Sequence, residues 1–409
     1  MRRIIPAFLA VLLAVLLATG CHREPAADAG PRPDLHEQNA VFSYALQELQ
    51  DRGEFAGAVT LVVAPRGAIA LEAFGLADIG SQRPMRRDSV FWIASMTKPI
   101  TAMGVLMLVE EGKLGLDDPV SKFVPAFRAQ TLTTKSGPAR PRRAVTVRDL
   151  LTHTSGLTGA APTPAGQPVD TLSLEAMTDF YGRQPLLTEP GTQWAYSNAG
   201  INTLGRIIEV VSGQPYADFV QRRFLDPLGM ESTSFWPTGE LTARQATPYG
   251  KDKITGALVA AGNSRFSSPL SDRRRTALPA GGLFSTAEDL TQLYQMILRE
   301  GELDGHRYLR AETLKLMATN QLGDLPKVSF APGMRMGLGF HLVDQPQGVT
   351  ESLSPGSFGH GGAYGTQAWI DPVLRRAYVL LIQRTDLPNS DGSEIRRVFQ
   401  QTAREHFGR

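Results

Sequence analysis

The sequence predicts an α+β fold, with strands near both ends of the chain, helices between them and a mostly helical insert. Three observations carry this. Residues 55–78, FAGAVTLVVAPRGAIALEAFGLAD, hold two aliphatic and β-branched runs around Pro65-Arg66-Gly67, a hairpin signal. Residues 366–384, TQAWIDPVLRRAYVLLIQR, read as two more strands joined across Asp371-Pro372. Between the two, apolar residues recur at helical spacing. Strands at both ends with helices between them imply one α+β layer closed by both ends of the chain.

The elements follow in order. HEQNAVFSYALQELQDRG, residues 36–53, reads as a helix with Val41, Leu46 and Leu49 among its apolar positions and Gly53 as its stop. The first hairpin comes next. Helix patterns then occupy 99–111, 146–152, 198–211, 215–225 and 286–299. The second pair of strands and a last helix over about 392–406 close the chain. Residues 128–143 and 251–277, rich in Arg, Ser and Pro, read as exposed loops.

The N-terminus is a different kind of segment. Arg2 and Arg3 precede an apolar run, Ile4 to Ala18, and small residues lead into Cys21. The run is too short for a membrane span and has the layout of a secretory signal. The ending ATGC resembles a bacterial lipobox, in which Cys21 becomes the lipidated first residue of the mature chain. An ordinary signal with an incidental cysteine is the alternative. His22 to Asp34, rich in Ala, Pro and Gly, reads as a flexible tether. Export with a lipid anchor implies a periplasmic location beside a membrane.

Bulk numbers narrow the function. With 409 residues, 42% of them hydrophobic, the chain can bury a large core. A net charge of +2 argues against nucleic acid as a partner. A single cysteine excludes internal disulfides. Histidines show no H-x-H or H-E-x-x-H spacing, so a zinc hydrolase is not expected. G-x-S-x-G is also missing, which argues against an α/β-hydrolase. The reading requires neither metal nor cofactor.

Three short constellations carry chemistry. In Ser95-Met96-Thr97-Lys98, Pro99 follows directly, so a helix must begin within a few residues of Ser95. Residues three apart share a helix face, which puts Lys98 beside the Ser95 hydroxyl. The run from Ile100 to Val109 is apolar nearly all round, so the helix is buried and Lys98 partly dry. Desolvation favours the neutral amine, a base for the serine. Ser95 as an ordinary helix cap with a solvated Lys98 is the alternative. Tyr196-Ser197-Asn198 precedes another helix pattern. A phenol near an ammonium would have its pKa lowered and act as a base, and Asn198 can orient a carbonyl or hold Lys98. Capping by Ser197 or Asn198 explains the same residues structurally. His360-Gly361-Gly362 sits at the start of a strand pattern, where glycines allow close approach of a ligand. The amides of Ala363 and Ser95 could pair as an oxyanion hole. A glycine-rich turn before an edge strand accounts for the same residues. His153 more readily satisfies a loop than catalyses.

Together these motifs resemble the serine β-lactamase and penicillin-binding-protein superfamily, in its class C branch with related esterases and D-amino-acid peptidases. Ser95-x-x-Lys98, Tyr196-x-Asn198 and the triad at His360 stand in that family's chain order. GKLGLDDPV, VTVRDLLTHTSGL, PLGMESTSF and AGGLFSTAEDL are similar too. The resemblance implies a β-lactamase/transpeptidase-like α/β sandwich: an antiparallel sheet of N- and C-terminal strands flanked by helices, plus a helical subdomain. It divides the chain into a signal peptide (1–20), a tether (21–36) and a hydrolase domain (37–409). It implies Ser95 as nucleophile, Lys98 and Tyr196 as base pair, and Asn198 as a substrate-positioning residue. His360-Gly361-Gly362 departs from the Lys-Thr-Gly of classical β-lactamases. A neutral His there weakens carboxylate binding. The expected activity is therefore acyl-enzyme hydrolysis of esters or amides by an esterase-like member. D-amino-acid peptidase or β-lactamase is the runner-up, and a non-catalytic cell-wall-binding protein is the remaining alternative.

Overall fold

The computed structural model describes residues 40–262, 266–267, 269–325 and 330–408. The segments expected to be a signal and a tether, with Cys21, lie outside them. Eight strands form the main sheet: β1 (Gly57–Ala64), β2 (Gly67–Asp78), β3 (Arg83–Pro84), β4 (Met334–Met336), β5 (His341–Val343), β6 (Phe358–Gly361), β7 (Gln367–Asp371) and β8 (Arg376–Leu381). Their spatial order is β4-β5-β6-β7-β8-β1-β2-β3, antiparallel throughout. The two ends of the chain meet where β1 pairs with β8, with Leu61 opposite Val379. Both expected hairpins are present.

Strand alternation builds two cores. From β1, Val59, Leu61 and Val63 enter the larger one, and Ala58 and Val62 the smaller. The smaller is closed by α1 (Val41–Asp51), whose Phe42, Leu46 and Leu49 meet Ile395 and Phe399 of the C-terminal helix Glu394–Phe407. The larger holds α2 (Thr97–Glu110), α3 (Val147–Leu151), α4 (Leu174–Arg183), α5 (Asn198–Ser212) and α6 (Ala287–Leu298). Every residue of α2 from Thr97 to Leu108 is buried, as its all-round apolar pattern requires. Each buried Leu, Ile or Met side chain there contributes roughly 1.5–3 kcal/mol.

Two expectations change. The 215–225 pattern is not one α-helix, because its second half, Gln221–Leu225, is wound as a π-helix. The segments taken as exposed loops are partly ordered and partly buried. Leu132–Thr134 and Gly137–Ala139 form a small hairpin. Phe266 and Arg275 are buried because Phe266 packs edge-on against Trp92 and Arg275 lies over the Phe266 ring.

Candidate active site

Ser95 lies in a single 3-10 turn, Ala94–Met96, that leads directly into α2. Pro99 occupies the first turn of the helix, where its missing N–H costs nothing. Ala94, just before Ser95, has φ +46, a left-handed conformation costing roughly 1–2 kcal/mol in a non-glycine residue. Lys98 is fully buried, so the solvated-lysine alternative fails. Its Nζ donates to Ser95 Oγ at 2.9 Å and to the Ala280 carbonyl at 2.5 Å. Burial holds the ammonium well below its usual range, and Asp391 opposes this only in part.

Tyr196 arrives from the loop before α5, which Ser197 caps by accepting from Gly200 N–H. Its Oη donates to Ser95 Oγ at 2.8 Å, and Lys98 Nζ stands 4.7 Å from its ring centre. The expected lowering of the phenol's pKa is reversed. Tyr196 is partly buried, and desolvation pushes its pKa up, against the pull of the Ser95 hydrogen bond. A dry lysine that prefers to be neutral offers no cation to stabilise a phenolate.

The third motif is placed differently from expectation. His360 and Gly361 end β6 rather than start a strand, and Gly362 turns the chain by donating to the Thr366 carbonyl at 2.7 Å. A Cβ on Gly362 would collide with Thr366 Oγ1 and lie 2.6 Å from the Ile93 carbonyl, so this turn rests against the residues just before Ser95. Of the motif and its neighbour, only Ala363 lines the cleft at Ser95. His360 is buried behind Tyr196, with ring centres 6.1 Å apart, and beside His341 at 4.7 Å. Its Nδ1 must donate to the Gly361 carbonyl, at 2.7 Å. Burial, with His341 and Lys98 nearby, holds it well below the usual imidazole pKa. His360 thus buttresses the tyrosine instead of facing substrate. His153 satisfies a loop as expected, its Nδ1 accepting from Ser197 N–H at 3.2 Å.

Sequence reasoning missed Asn202 and Asp391. Asn202 lies one turn after Asn198 on the same face of α5, and both line the cleft. Its Oδ1 accepts from Ala280 N–H at 3.1 Å, so it holds the residue whose carbonyl seats Lys98. A polar residue on an otherwise apolar helix face was the available signal. Asp391, buried beneath Gly361, is pushed up by desolvation against the pull of Arg396, Gln367 and Lys98. Nothing in its local sequence marked it.

The cleft has a volume of about 140 Å3. Trp92, Val169, Phe266 and Leu278 form apolar walls around Ser95, and among the described residues no charged side chain lines it. Of the two segments read from sequence as exposed loops, 251–277 supplies a wall through Phe266 and 128–143 supplies none.

Residues 42–403 match the model of the Beta-lactamase family. The chain belongs to this family. Within the Beta-lactamase family it is 33% identical over 364 residues to Protein Rv1367c of Mycobacterium tuberculosis, covering 83% of this chain and 88% of that one. It is 32% identical over 373 residues to esterase EstB of Burkholderia gladioli, covering 84% and 88%. Among solved structures it is similar to EstCE1, described as a hydrolase with promiscuous acyltransferase activity. That match has a TM-score of 0.71 at 26% identity and covers 88% of this chain and 96% of the other. As a member of the Beta-lactamase family with esterase relatives, the chain is a serine hydrolase acting on esters or amides.

Proposed function

We propose that this hydrolase is an esterase for uncharged carboxylic esters, with Ser95 as nucleophile. The carrying observation is the cleft itself: Ser95 opens onto apolar walls, and among the described residues no cationic side chain lines them. β-Lactams and D-Ala peptides bring a carboxylate, which needs a charge or aimed donors when taken out of water. A neutral ester needs only apolar contact and a few polar groups.

Lys98, deprotonated by its dry setting, takes the Ser95 proton as Oγ attacks the ester carbonyl. The amides of Ser95 and Ala363 hold the developing oxyanion, and Asn198 orients the acyl group. Tyr196, neutral and in contact with Oγ, passes the proton on to the leaving alkoxide. The C–O bond breaks and leaves an acyl-Ser95. Water then attacks, giving its proton to the Lys98–Tyr196 pair, and the acid departs with Ser95 restored.

The test is turnover of a short-chain p-nitrophenyl ester, a chromogenic cephalosporin and a D-Ala-D-Ala peptide by the wild type and S95A. Ester turnover lost in S95A, with little turnover of the other two, supports the reading. Efficient cephalosporin or peptide turnover overturns it. The N-terminal pattern ending at Cys21 supports a periplasmic, lipid-anchored location. Membrane fractionation of C21S beside the wild type tests this, and an unchanged distribution sinks it.

A further inference from the structure

We infer that Asp170 and Arg275 form a clamp that sets the acyl-chain length the cleft accepts; this rests on the Ser95 hydrolase reading above. Asp170 is fully buried and Arg275 only 5% exposed, and they meet at 3.4 Å. The Asp170 carboxylate also accepts from Ser267 N–H at 2.8 Å and from Ser267 Oγ at 2.9 Å. Its chain neighbour Val169 and Ser267's neighbour Phe266 are both cleft walls. One carboxylate therefore ties together two segments that each contribute a wall to the site.

Arg275 completes the tie. Its Nη2 donates to the carbonyls of Phe235 (3.0 Å) and Leu270 (2.7 Å), and its guanidinium lies 4.9 Å from the centre of the Phe266 ring. Phe266 stands edge-on to Trp92 at 4.8 Å, and Trp92 is held by its indole N–H donating to Gly281 O at 2.6 Å. The backbone is tied as well: Thr276 N–H donates to Asp170 O at 2.7 Å. Val169 opens a single 3-10 turn, Val169–Thr171, that Asp170 itself belongs to, and Phe266 lies outside any helix or strand, so the clamp holds a short turn against an irregular segment. Neither clamp residue touches the cleft, so both are positioning residues.

The experiment labels Ser95 with p-nitrophenyl alkylphosphonates bearing a methyl or an octyl chain and reads the rates by intact mass. Asp170→Ala should raise the octyl-to-methyl rate ratio about tenfold, the scale on which an apolar pocket discriminates chain length. An unchanged or lowered ratio overturns the clamp, whatever happens to Tm, because a purely structural loss slows both probes alike. If D170A fails to fold, Ser267→Ala removes one hydrogen bond only. It should move the ratio the same way by about threefold, some 0.65 kcal/mol, and no movement overturns the proposal. A wild type that is labelled but hydrolyses no ester refutes the ester reading alone, and the ratio still decides the clamp. A wild type labelled by neither probe refutes the nucleophile, and the clamp with it.

Discussion

Tyr196 Oη stands 2.8 Å from Ser95 Oγ, although 101 residues separate them. Lys98 Nζ reaches the same oxygen at 2.9 Å. The serine therefore has two proton partners with opposite tendencies, an amine whose ammonium form desolvation disfavours and a phenol that desolvation keeps protonated. This asymmetry assigns the base role to Lys98 and the relay role to Tyr196.

Lys98→Met should lower kcat by ~10²–10⁴-fold, as removal of a positioned base does. It should also raise Tm, because the buried amine is costly where the unfolded chain would carry the charge. The pKa of Lys98 is lowered on folding from 10.5, so between the folded value and 10.5 the unfolded state binds more protons. Wild-type stability then rises with pH across that window. Thermal melts at a series of pH values should show the advantage of K98M shrinking as pH approaches 10.5. A constant difference would show that Lys98 is not dry.

Tyr196→Phe keeps the ring packed on the histidines and removes only Oη. Turnover should fall ~10²–10⁴-fold with KM little changed, since the lost group acts on the proton and not on binding. The wild-type rate should show no alkaline loss from Tyr196 below about pH 10, because its pKa is raised above the ordinary phenol value.

His360→Lys tests what the third motif does here. The position is 4% exposed and away from the cleft. A lysine there would be an unpaired charge in a dry site and should cost about 3 kcal/mol or more of stability, read by urea unfolding. Cephalosporin turnover should not rise. A stable H360K with strong cephalosporin turnover would return this position to the substrate site.

Asn202→Ala leaves the Ala280 N–H without its acceptor in a buried place, a cost of about 1–3 kcal/mol. The carbonyl of that residue seats Lys98, so kcat and the rate of Ser95 phosphonylation should fall together, with KM nearly constant. A variant with lowered Tm but a normal phosphonylation rate would make Asn202 merely structural.

Much of this was legible in the residues. The hairpins at 57–78 and 367–381 and the buried helix after Ser95 follow from local periodicity, which acts over a few residues and leaves a readable trace. Ser95 and Lys98 are three apart on one turn, so local geometry alone brings them together. Tertiary packing decided the rest. The 3-10 turn and π-helix, the seat of Lys98 on Ala280, and the burial of His360 behind Tyr196 depend on segments meeting from distant parts of the chain. The direction of the Tyr196 pKa shows the reason. A pKa is set by water and charge in three dimensions, and a sequence lists the charges without saying which are dry.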